Sequence, residues 1–153
     1  MQRRVMTLFA VVVSLFLLST APSYASETVG WKPVATTSNW SCGAYISHDV
    51  RSAVRFRACI VTNASGGAQT VLWVENKSTA YDEYIDQGRV VFESQLGGDV
   101  WCKPSNLAYG GTAGCYAPTV PVGKCSRTTS ATVELKIQGV TRSATAAGQY
   151  TPC

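Results

Sequence analysis

The chain has very little material for the common catalytic constellations. It contains one histidine, His48, in 153 residues, so a histidine-based general base could be built only there, beside Asp49. A lone histidine next to a probable turn reads as a surface residue. There is no Gly-x-Ser-x-Gly elbow to hold a serine nucleophile. The cysteines are spaced 17, 43, 13, 10 and 28 residues apart, without the close Cys-x2-Cys pairs of common zinc sites. EF-hand spacing is missing too. The expectation is a protein with no catalytic residues, no metal and no cofactor. Helical periodicity is also absent from every stretch of about ten residues or more, which leaves strands as the regular structure.

The other scarcity is of long apolar runs. Val5 to Leu18 is the only one, broken by Thr7 and Ser14 and preceded by Arg3 and Arg4. It is too short to span a bilayer. A more polar stretch leads from it to Ser23-Tyr24-Ala25, with small residues where a signal peptidase reads, so residues 1–25 are expected to be a signal peptide cleaved after Ala25. No cysteine follows the run until Cys42, which argues against a lipid anchor. The expected product is secreted, with no membrane anchor. Removing 25 residues from 153 leaves 128, enough for one domain with a modest core. Taking Arg3 and Arg4 from 13 basic residues leaves 11 against 9 acidic ones, too slight an excess to point to nucleic acid.

What is present is sulfur in an even count. Cys42, Cys59, Cys102, Cys115, Cys125 and Cys153 all follow the expected cleavage site. In an exported chain that count reads as three disulfides and leaves no thiol free for nucleophilic chemistry. Spacing does not determine connectivity. The pairing in chain order, Cys42 with Cys59, Cys102 with Cys115 and Cys125 with Cys153, is the one we expect.

Strand patterning is clearest from Val54 to Thr62, where Val54, Phe56, Ala58, Ile60 and Thr62 alternate with Arg55, Arg57, Cys59 and Val61. Asn63 to Gly67 supplies turn chemistry, and Gln69 to Glu75 is the returning strand. Further strands are expected at Arg89 to Leu96, Asp99 to Lys103, Ala113 to Ala117, Thr132 to Val140 and Ala144 to Tyr150, and one helical turn within Ser78 to Gly88. Short strands between glycine and proline breakers indicate an all-β fold: a single disulfide-stapled antiparallel β-sandwich or barrel over residues 40–153. Residues 26–39, with Val29, Trp31 and Val34 as apolar anchors, are either an extended arm free for a partner or an edge strand of the same domain.

Several segments are candidates for recognition. Arg55 and Arg57 share one strand face and suit an acidic partner or an anionic glycan, or else form the solvent face of an amphipathic strand. Tyr81 to Asp86 gathers three carboxylates with two tyrosines, a calcium, sugar or acid-pair candidate whose plain alternative is a solvated loop. The cysteine-bracketed loop Pro118 to Lys124 is stiffened by proline and, with Tyr116, Val122 and Lys124, could inhibit an extracellular hydrolase. Trp73, Trp101, Tyr109 and Tyr116 could stack on sugar rings. Three Asn-x-Ser triplets start at Asn39, Asn63 and Asn76.

An expected signal, a following arm and a six-cysteine β body together resemble the small secreted proteins of Gram-positive filamentous bacteria. The layout is also similar to that of the small adaptor subunit of bacterial umbrella toxin particles, which links a lectin subunit to a large polymorphic toxin. That likeness is of layout rather than motif, so it assigns no residue a role. It implies a non-enzymatic bridging protein in a secreted antibacterial complex. The expected function is thus a secreted protein-binding or adaptor module with extracellular protein partners, Val29, Trp31, Val34, Arg55 and Arg57 being the candidate contacts. A hydrolase inhibitor and a carbohydrate-binding module are the alternatives.

Overall fold

The computed structural model describes residues 26–91 and 99–153. The expected signal segment, and the far end of the strand expected at Arg89 to Leu96, lie outside these. The described chain is all-β. One sheet carries, in order, β1 (Glu27–Val29), β8 (Val100–Cys102), β7 (Gln87–Val91), β12 (Ala131–Ile137) and β13 (Val140–Ala146). The other runs β10 (Thr112–Tyr116), β5 (Gly67–Asn76), β4 (Arg51–Thr62) and β2 (Trp40–Cys42), with β11 (Val120–Pro121) on β5 and β3 (Ile46–His48) on β4. A small pair, β6 (Glu83–Ile85) and β9 (Ser105–Leu107), stands apart.

The two large sheets face each other as a sandwich because strand alternation sends one apolar set inward from each. Phe56, Ile60, Leu72 and Val74 come from one sheet, and Val90, Val133, Leu135 and Ala144 from the other, all buried. Ile85 and Leu107, from the small pair, join the same core. Each fully buried side chain of this kind contributes roughly 1.5–3 kcal/mol relative to exposure.

The β4–β5 hairpin forms as its sequence indicates. The Asn63 side chain accepts hydrogen bonds from the backbone of Ser65 (3.0 Å) and Gly67 (2.8 Å), and Gly66 takes φ of 80°, which a side chain would disfavour. The expected strand Thr132 to Val140 instead divides. Gln138 and Gly139 have φ of 50° and 78° and form a two-residue turn, so β12 ends at Ile137 and β13 begins at Val140. The last strand therefore starts earlier than Ala144 and ends at Ala146. No helical turn occurs within Ser78 to Gly88, since Glu83–Ile85 pairs with β9 and Gln87 already belongs to β7.

Disulfides join Cys42 to Cys59, Cys102 to Cys115 and Cys125 to Cys153. The first ties directly opposed residues of β2 and β4. Cys102 and Cys115 lie on β8 and β10 and link the two sheets. The third holds the tail beside residues 123–126, where the Thr151 hydroxyl accepts from Ser126 N (3.0 Å) and donates to Gly123 O (2.6 Å).

The segment read as an arm or edge strand is docked on its own domain. β1 pairs in parallel with β8, and the Trp31 indole N–H donates to Lys103 O at 2.7 Å. Lys32 then pairs with Gly114 of β10, while the Tyr116 hydroxyl donates to Pro33 O at 3.0 Å. Val29 and Trp31 pack against the core, so they serve the fold here. His48, expected at the surface, is 1% exposed. Strand alternation in β3 turns Ser47 outward and sets His48 on the inward face with Ile46, where Nε2 meets the carbonyls of Leu135 (3.3 Å) and Val140 (3.2 Å).

Candidate functional site

Among the described residues, the outer face of the β4–β5 sheet carries the largest group of interacting aromatic and charged side chains. Hairpin register sets Arg55 opposite Glu75 and Arg57 opposite Trp73. Tyr45, just before β3, lays its ring against both guanidinium groups at 4.2 Å, and Arg57 also stacks on Trp73 at 4.0 Å. Trp40 meets Trp73 and Tyr116 edge-on, at centroid distances of 6.1 and 6.2 Å.

Glu75 organises one end of this face. Arg55 Nε donates to its Oε2 at 2.7 Å, and the Tyr45 hydroxyl donates to Oε1. Burial works to raise the Glu75 pKa, but the bonds from Tyr45 and Arg55 and the Arg55 charge outweigh it, holding the carboxyl below its ordinary value. Burial and the same hydrogen bond push Tyr45 up to about 12. Arg57 is different: it makes no ion pair or hydrogen bond among the described residues, and its Nε is buried without an acceptor.

Beside Arg55 and Glu75 lies a cleft of about 670 Å³, lined also by Asn76, Lys77, Ser78, Thr79, Tyr109 and the Gly110–Gly111 turn. Asn76 braces its floor, donating to the carbonyls of Tyr81 (2.9 Å) and Leu107 (3.1 Å). At 1% exposure, Asn76 cannot carry a glycan in this fold, which removes one of the three triplets. Tyr109 is 60% exposed on the rim. Tyr81 and Tyr84, also exposed, lie on the adjoining segment, bound to that of Tyr109 through the Tyr109 N–H to Asp82 bond (3.0 Å) and the β6–β9 pair.

The acidic segment Tyr81 to Asp86 is engaged in holding the chain together. Glu83 pairs with Arg51 at 3.0 Å, Asp82 accepts from Tyr109, and Asp86 accepts from Gly139 N at 2.7 Å. Pro118 to Lys124 does not stand out as a free loop: Val120–Pro121 extends the sheet, and the N–H groups of Val122 and Gly123 donate to Gly66 O at 2.9 and 3.0 Å. Lys124 is exposed and Val122 half-buried. Val34 packs over Gly114.

Among the expected contacts, the structure thus brings Arg55 and Arg57 together on one face and sets Val29, Trp31 and Val34 to tasks within the fold. Tyr45 and Glu75 were not foreseen. Glu75 follows from counting back along the hairpin from its turn, but Tyr45 reaches the face through a separate strand whose register no local pattern reveals. Comparison with protein-family models, curated proteins and solved structures yields no match, so the site rests on its own geometry.

Proposed function

We propose that this chain is an exported, non-catalytic binding module that engages a protein partner through the cleft beside Tyr109 and the adjoining outer face of β4 and β5. The observation that carries this reading is the cleft itself, about 670 Å³, with Tyr109 exposed on its rim. Tyrosine gives a large, rigid contact at small entropic cost, and exposed aromatics of this kind dominate binding energies. Three disulfides are typical of proteins in oxidising compartments, which supports export. In the bridging role implied by the toxin-particle layout, the cleft would be one docking point and a second surface would be required.

The geometry gives less support to the alternatives. The faces of Trp73 and Trp101 are occupied by Arg57 and Arg89, leaving Tyr109, of the four rings read as sugar-stacking candidates, as the one most open to a sugar. The Pro118 to Lys124 loop is tied to the sheet by the Val122 and Gly123 donors and by the Val120–Pro121 pairing, unlike a projecting inhibitory loop. The test is capture of partners from the native culture by the wild-type protein, Tyr109→Ala and Ser143→Ala. Tyr109→Ala should weaken binding of the captured partner by at least about tenfold, with unchanged thermal unfolding, and Ser143→Ala on the opposite sheet should not. Equal capture by Tyr109→Ala would refute the cleft assignment.

A further inference from the structure

We infer that Arg57 is a preformed receptor for a carboxylate on the protein partner. This names the chemistry of the binding role proposed above and rests on it. Among the described residues, two arginines are set directly opposite a tryptophan on the neighbouring strand: Arg89 opposite Trp101 and Arg57 opposite Trp73. In both, the guanidinium lies over the indole, at 5.0 and 4.0 Å. Arg89 is closed by two carboxylates, Asp99 and, at 3.2 Å, Glu134. Arg57 has none.

The nearest candidate, Glu75, already binds Arg55 and Tyr45. Two buried donors on this face, Arg57 Nε and Trp73 Nε1, lack acceptors, and Arg89 Nε does too, so what separates the two stacks is that the outer guanidinium nitrogens of Arg89 bind carboxylates and those of Arg57 do not. Arg57 is held between Tyr45 and Trp73, so its planar donor fork is ordered before anything binds, and a carboxylate gains paired, charge-assisted hydrogen bonds at little entropic cost. A protein carboxylate fits better than a sulfated glycan because carboxylates close the matching stack on Arg89. Lys77, at the cleft, adds positive charge along the approach.

The test uses the intact secreted protein and three probes: a short oligoglutamate, an oligoglutamine of equal length and a heparin oligosaccharide. Arginine Nε and indole N–H signals are followed by NMR. Oligoglutamate should shift the Arg57 Nε–H and Trp73 Nε1–H signals saturably while oligoglutamine leaves them in place. Arg57→Gln should weaken oligoglutamate binding about tenfold, and Arg57→Lys, which keeps the charge without the fork, should recover only part of it. Unmoved wild-type signals with oligoglutamate, equal shifts with oligoglutamine, or tighter Arg57-dependent binding of heparin would each overturn the inference. The wild-type titration does not depend on any variant folding. If Arg57 stays silent while Tyr109→Ala abolishes partner capture, the carboxylate site fails and the cleft reading stands. Shifts at Arg57 with full capture by Tyr109→Ala would mean the reverse.

Discussion

Replacing Tyr45 by phenylalanine removes a single oxygen from the outer face while leaving the ring against Arg55 and Arg57. The lost bond runs to Glu75, whose residue is 8% exposed. Hydrogen bonds to charged groups contribute about 1.5–3 kcal/mol net. The half-exposed setting of Arg55, at 36% of its side chain, argues for the lower end, and after allowing for screening we expect a loss of about 1–1.5 kcal/mol. In a domain of this size that lowers the melting temperature by roughly 3–8 °C. The loss should also depend on pH. Because the Glu75 pKa in the fold lies below the ordinary carboxylate value of 4.5, the stability it supplies is complete above the unfolded value. It disappears as pH falls through the lower folded one. Urea unfolding of both proteins near neutrality, and again at about pH 2.5, measures this directly. The Tyr45→Phe deficit should be full in the first condition and much reduced in the second. An unchanged deficit in acid, or none at neutrality, would refute the assigned role of the Tyr45–Glu75 bond.

Tyr45 should titrate near 12 by ultraviolet absorbance; since its folded pKa lies above the unfolded one, the associated stability is lost as pH rises from about 10 through about 12. Leu72→Ala, at a fully buried position, should cost about 2–5 kcal/mol, seen as a lower urea midpoint with an unchanged slope. Replacing Cys102 and Cys115 together by alanine should cost on the order of 3 kcal/mol, since their bridge joins the two sheets, and thermal unfolding of the double variant measures it. Removing residues 26–34 should lower stability by about 2–3 kcal/mol, because Val29 and Trp31 pack on the core; an unaltered urea midpoint would restore the view of a free arm.

Much of the fold is legible in the sequence where local signals agree. Val54 to Thr62 alternates strictly, Asn63 to Gly67 offers turn chemistry, and the structure contains that hairpin in full. The signal is poorer where two rules compete. Gln138 is a non-glycine residue in a left-handed conformation, so Thr132 to Val140 reads as one strand when it is two. His48 illustrates a different gap, since its place on the inward face depends on the three-residue β3, too short to show a pattern, pairing with β4. Of the candidate site, Arg55 and Arg57 are visible from strand alternation alone. Their aromatic neighbours are not: Tyr45 and Trp73 converge from separate strands, and which ring covers which cation is decided by sheet register. The cleft depends on residues 75–79 meeting residues 109–112, a long-range contact beyond any local pattern.

The pairing of Glu27 with Val100, and of Lys32 with Gly114, has a kinetic meaning. In a chain synthesised from its N-terminus, residues 27–34 emerge long before the strands they will zip onto exist. Closure of that flank therefore comes at the end of folding, after the hairpin at 51–76 has collapsed. Pulse-labelled hydrogen exchange should find the amides of Lys103 and Gly114, which donate to Val29 and Lys32, among the last to gain protection. Until then both sheet rims stay open, and the nascent molecule is at its most vulnerable to pairing with a neighbour.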